Sequence, residues 1–208
     1  MRTLELPITI RTARIDELPS TQDNTDWIEE SKTAKIVEGY ILHKNETSEL
    51  PFTFFAEINV DNSKLWEVFK ALLISFEEEI SFIFGHIDNE PLYSKYGDKF
   101  DILNQIEKFQ TELTQDGFLE FGIIYHDEKK LKEVFIKKPK YIQYWGIEQN
   151  EFLKIMNSFS IYEIEDMKFI DEFPLVTETL RIHRDNVIET SEVINQLAEI
   201  FVDARANY

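Results

Sequence analysis

Leu4, Leu6, Ile8 and Ile10 alternate with Thr3, Glu5, Thr9 and Arg11, the period-two pattern of a half-buried strand, and Pro7 places that strand at a sheet edge. From Asp16 to Ser31 the chain is polar, with Leu18, Trp27 and Ile28 as its main apolar anchors, and reads as a long loop with room for a short helix. Residues 35–42 and 52–60 read as two strands. The second alternates Phe52, Phe54, Ala56, Ile58 and Val60 with Thr53, Phe55, Glu57 and Asn59, and the polar stretch 44–51 between the two makes them a hairpin.

The period then changes. Asp61 to Ser63 offer a cap, and Leu65, Val68, Phe69, Leu72 and Phe76 recur at the three-and-four spacing of one helix face. Ile80 to Ile87 is short, apolar and rich in β-formers, which predicts a buried strand. A second helix carries Ile102, Ile106, Phe109 and Leu113 and stops at Asp116-Gly117. Phe118 to Tyr125, Leu131 to Ile136 and Tyr141 to Trp145 predict an antiparallel meander, with Pro139 breaking the chain before its third strand. Phe152, Ile155, Met156 and Phe159 give a third helix, Val176 to Ile182 another strand, and Ile194, Leu197, Ala198 and Phe201 a C-terminal helix. Segment 160–173 fits neither period.

Strands and helices come in groups rather than in strict alternation. The expected fold is therefore α+β: an antiparallel or mixed sheet with about four amphipathic helices packed against it, as one domain over residues 1–208, a position near 115 being where two halves would divide.

Composition narrows the chemistry. There is no cysteine, which excludes disulfides, thiolate metal sites and thiol nucleophiles. The first eleven residues lack the basic start and apolar run of a signal peptide, and no window approaches the ~18 apolar residues of a membrane span. A cytoplasmic protein without membrane contact is expected. The formal charge of −18 opposes phosphate backbones, so a nucleic-acid partner is disfavoured and a basic protein partner favoured, although an acidic surface also serves solubility.

The six glycines are isolated, so no phosphate-cradling loop exists, and no serine lies in a Gly-x-Ser-x-Gly elbow. His43, His86, His126 and His183 are far apart in sequence. His86 with Asp88 and Glu90 comes nearest to a ligand set, but a strand end running into a polar turn explains it better. Glu77, Glu78 and Glu79 point in different directions and read as a solvated helix end. No catalytic residue, cofactor or metal ligand is assigned.

Two charged stretches stand out. Lys129 to Lys140 holds six lysines against Glu133, a pattern that guards a hairpin edge against aggregation; with Tyr141, Tyr144 and Trp145 as stacking groups it could also meet phosphate or RNA, against the global field. Glu163, Glu165, Asp166, Asp171 and Glu172 alternate with Tyr162, Phe169 and Phe173, and this mixture of aromatic anchors and carboxylates is a candidate surface for a basic partner. Asp26 and Trp27, among Asp23, Glu29 and Glu30, form a second candidate of the same kind.

The run Asp116-Gly117-Phe118-Leu119-Glu120-Phe121-Gly122, the strand Glu133-Val134-Phe135-Ile136, and Pro139 to Gly146 followed by the Phe152 to Phe159 helix resemble small acidic α+β proteins of bacteria, among them immunity proteins of polymorphic toxin systems. The likeness covers about residues 116–160, rests on no diagnostic motif and transfers no functional residues. It implies a cytoplasmic, non-catalytic inhibitor that covers the active site of a basic toxin. The alternatives are a structural subunit of a larger assembly, or an enzyme whose site gathers distant groups such as His86, Glu120, His126 and His183.

Overall fold

The structure, a computed structural model, describes residues 3–18, 30, 33–47 and 49–202. It is an α+β fold. Seven strands, β2 (Gly39–Lys44), β3 (Phe54–Asn59), β4 (Glu79–His86), β5 (Leu92–Tyr93), β7 (Leu119–His126), β8 (Leu131–Lys137) and β9 (Tyr141–Gly146), form one antiparallel sheet in the order β2-β3-β9-β8-β7-β4-β5. The two-residue β6 (Gly97–Asp98) also pairs with β4. The expected hairpin is β2-β3, and the expected meander is β7-β8-β9.

The helices are α1 (Asn62–Ile74), α2 (Lys99–Ile106), α3 (Gln110–Gln115), α4 (Gln149–Ser158), the single turn α5 (Leu180–His183) and α6 (Thr190–Phe201). Leu65, Phe69 and Leu72 of α1, Phe152 and Met156 of α4, and Val193 and Leu197 of α6 join Phe54, Ala56, Ile58, Phe82, Phe121, Val134 and Ile142 in one core. Along each strand these core residues occupy alternate positions, so the large core lies on one face of the sheet.

No glycine ends α1. Instead Lys99 Nζ donates to the carbonyls of Ile74 (2.8 Å) and Phe76 (2.5 Å), and Lys132 Nζ donates to that of Ser75 (2.5 Å). Two largely buried ammonium groups thus satisfy carbonyls at and just beyond the negative end of the helix.

Several expectations are corrected. The N-terminal segment is not a strand from its start: only Ile10–Thr12 (β1) pairs, with β10 (Leu175–Thr177), and Ile8 is 46% exposed. The strand expected over 176–182 stops at Thr177 and turns into α5. The second helix is interrupted by a 3₁₀ turn at Glu107–Phe109. Helix α1 ends before Glu77, and Glu79 already belongs to β4. The lysine-rich strand is not an edge, because β8 lies between β7 and β9. Lys132 and Lys140 are buried within the fold rather than guarding its rim.

Among the described residues no helix is long and apolar enough to cross a membrane.

Candidate functional site

The residues alternating with the core positions form the second face of the sheet. In an antiparallel sheet with one solvated face these positions should be polar. Here large aromatic and aliphatic side chains stand among them. One rung runs His43, Phe55, Trp145, Glu133, Ile124 across β2, β3, β9, β8 and β7, and the next runs Ile41, Glu57, Gln143, Phe135, Gly122. Phe55 stacks against His43 at 6.2 Å and packs at a tilt against Trp145 at 4.8 Å between ring centroids. A Cβ on Gly122 would lie 2.3 Å from the Val134 carbonyl oxygen and 2.9 Å from Phe135 Cδ2, so the Phe135 ring lies down on bare backbone.

Phe55, Trp145, Phe135 and Ile124 are only half-buried and belong to none of the hydrophobic cores among the described residues. The two ends of this face are covered. At the β4 end, Ser94 accepts from the Ser81 hydroxyl at its carbonyl and from the Phe82 amide at its own hydroxyl, and Pro91 of the same loop closes on Gly85. At the β2 end, the segment after α4 crosses the sheet: Ile164 fills the space above Gly39, and Met167 and Phe169 pack with Tyr141 and Ile41. Between these covers the aromatic band of β3, β9, β8 and β7 is half-buried, and among the described residues it belongs to no core.

Glu133 sits in the middle of that band. Its direct cross-strand neighbours are Trp145 and Ile124, and Phe135 follows it on the same face. Among the described residues its carboxylate has neither a hydrogen bond nor an ion pair. Burial alone pushes it up to about 7. Tyr93, 55% exposed on β5, is near enough that the Glu133 charge helps raise its hydroxyl, after burial and ahead of Glu90.

The rim of the face holds part of the acidic stretch singled out in the sequence. Glu57, Tyr141, Phe169, Asp171 and Glu172 line an open depression of about 320 Å³. Burial raises Asp171, opposed by hydrogen bonds to its carboxylate, including one from Tyr141, and by the charge of Lys137. Burial raises the Tyr141 hydroxyl further, with Asp171 and Glu57 adding to it. Glu172 is paired with Lys168 at 2.7 Å and accepts the Phe169 amide at 2.8 Å. Glu163, Glu165 and Asp166 are exposed on the same crossing segment, with Glu163 bridged to Tyr40 beside the β2 edge. Asp26 and Trp27 lie outside the described residues.

The groups of the enzyme alternative do not converge. His86 pairs with Leu119 and Gly85 with Glu120, so His86 and Glu120 are neighbours in register on opposite faces. His126 is at the far end of β7, roughly 20 Å along the strand from Glu120. His183 meets Glu178 at 3.0 Å in the segment around α5. His86 stacks on Phe118, and Asp88 lies 3.6 Å from it as part of a turn. The three aromatics considered for stacking are also split: Trp145 is on the aromatic face, Tyr141 lies beneath Phe169, and Tyr144 is in the core.

The period-two pattern sets Phe55 opposite the core positions of its strand and Trp145 is a candidate stacking group, but nothing in the sequence joins them with Phe135 into one surface. The available signal was that Phe54-Phe55, Val134-Phe135 and Tyr144-Trp145 place large apolar residues at consecutive positions, which must face both sides of a strand. Comparison of the chain with protein-family models, with curated proteins and with solved structures finds no match in any of the three.

Proposed function

We propose that the chain is a non-catalytic protein-binding module that docks a basic protein on the aromatic sheet face, in the manner of an immunity-type inhibitor of a basic toxin. The carrying observation is the half-buried aromatic band of Phe55, Trp145 and Phe135, with Glu133 inside it and Glu57, Asp171 and Glu172 toward its rim. Aromatic anchors within a polar, charged rim are what protein interfaces use for affinity and specificity.

The charge selects the partner class. A chain of net charge −18 steers toward positive surfaces, and carboxylates on the face oppose phosphate and a second copy of the same chain. A basic protein is the occupant that this field favours.

The test is retention from the native cell lysate at low and high salt, comparing the wild type, a Phe55→Ser/Trp145→Ser double variant, and Ile182→Ser, which alters a 70% exposed residue of α5. One basic protein is expected to be held at low salt by the wild type and Ile182→Ser, released at high salt, and lost from a double variant that keeps its circular dichroism. Equal retention by the double variant, or no basic partner at any salt, would overturn the proposal.

A further inference from the structure

We infer that Glu133, flanked by Trp145 and Phe135, is a receptor for one cationic side chain of the partner, an arginine in preference to a lysine. The inference deepens the docking role of the face and rests on it.

Three observations converge. The carboxylate is unpaired among the described residues although it is half-buried, and such groups are normally hydrogen-bonded or ion-paired. Its neighbours on the face supply π-surface without donating to it: Trp145 across one strand and Phe135 along its own. Among the described residues, no cation of the chain itself completes the site. Of the six lysines of this strongly basic segment, Lys132 is turned to the helix face, where it meets Ser75 and Glu151, Lys140 is enclosed against Leu119 and Phe121, Lys130 lies 3.7 Å from Glu77, and Lys137, two positions beyond Phe135 on the same face, acts on Asp171.

A carboxylate beside aromatic faces matches a guanidinium. That group is planar, stacks on rings, is less strongly hydrated than an ammonium, and keeps donors at its edge for the carboxylate. A neutral group of the same shape would gain the stacking and forgo the ion pair.

Protonation follows from the same geometry. The groups on this face that also carry charge or titrate are Lys137 further along β8, His126 on the next rung of β7, Glu57 two strands away, and Tyr93 and Glu90 toward the β5 edge. With Glu133 ionised only above about 7, a site that needs the carboxylate is about 3% available at pH 5.5, and apparent affinity falls about thirtyfold relative to pH 8.

The experiment uses N-acetyl-arginine methylamide as the probe and the citrulline derivative as its neutral isostere, followed by ¹⁵N-¹H spectra of the full chain. Saturable shifts at the Trp145 indole and the Glu133 and Phe135 amides are expected with the arginine probe at pH 8. They should weaken about thirtyfold at pH 5.5 and be lost in Glu133→Gln at both pH values. Equal shifts with the citrulline probe, shifts retained in Glu133→Gln, or shifts scattered over other acidic surface would sink the receptor. If the probe fails while the Phe55→Ser/Trp145→Ser variant loses the partner, the receptor falls and the docking face stands. If the probe binds and that variant keeps the partner, the docking role falls instead.

Discussion

Replacing Glu133 by glutamine should stabilise the protein, and by an amount that depends on pH. Glutamine keeps the shape and removes the charge. Burial raises the Glu133 carboxyl from 4.5 to about 7, and at about 1.4 kcal/mol per pH unit its ionised form costs at most about 3 kcal/mol relative to the unfolded chain. The folded state holds the proton between pH 4.5 and about 7 while the unfolded state does not. The contribution of Glu133 to stability therefore falls as pH rises through that window, and the full cost applies above it. Glu133→Gln and wild type should be close to equal at pH 4.5 to 5, and the variant more stable by about 3 kcal/mol at pH 8. Urea unfolding at pH 5, 6, 7 and 8 reads this as a gap in midpoint that opens to about 1 M. The high net charge of the chain changes the stability of both proteins with pH, and the difference between them removes that common part. A gap of constant size across the series, or a variant less stable at pH 8, would refute the account of Glu133 as an unpaired, desolvated carboxylate.

Two further changes test the fold around the face. Lys140 is 3% exposed, and burial depresses its amine to about 7 against the attraction of Asp116 and Glu120. The unfolded chain keeps that proton up to 10.5, so the amine destabilises the fold most below pH 7 and least toward pH 10. Lys140→Met should accordingly gain about 2 to 4 kcal/mol at pH 6 and converge with wild type at pH 10, as read by urea titration. Gly122→Ala should lose about 3 kcal/mol, because its Cβ meets the Val134 carbonyl oxygen, which is backbone and cannot rotate away. A melting temperature lowered by roughly 6 to 12 °C would show it, and an unchanged one would mean that β7 and β8 are not held in this register.

Elements whose evidence is local were legible in the sequence. The face of α1, the dense run of β4 and the turns of the meander each rest on spacing within about fifteen residues. Where the deciding partner is distant, the reading failed. Leu4 and Leu6 carry a strand pattern, but the Leu4 amide bonds to the Ile36 carbonyl outside any ladder, and pairing begins at Ile10 because β10 is opposite it. The lysines of 129–140 look alike by composition. Lys132 is drawn inward by the Ser75 carbonyl at the end of α1, and Lys140 is enclosed at the β8–β9 turn, neither of which a charge count contains. The acidic stretch 163–172 was legible as charge and aromatics. That its outer end meets Glu57 and Tyr141 at the rim of an aromatic sheet face depends on where the crossing segment lands.

An aromatic sheet face invites association, and how the fold limits the unwanted kinds bears on which kind it admits. One edge of the sheet is partly occupied: the Tyr40 amide donates to the Tyr162 carbonyl, and the Ile164 amide to that of Tyr40, which removes β2 donors and acceptors from strand-to-strand addition. The other edge is reduced to the two-residue β5 and β6. The face itself carries Glu57 and Glu133, so a second copy would set like carboxylates against one another. A partner with arginines reverses the sign of that interaction. It also relieves a carboxylate that, among the described residues, is partly desolvated without a partner. The residue that weakens the free protein above pH 7 is thus the one whose pairing would most favour a basic partner over the chain's own copies, and a gain in stability from Glu133→Gln together with loss of the arginine probe would be the joint signature of that trade.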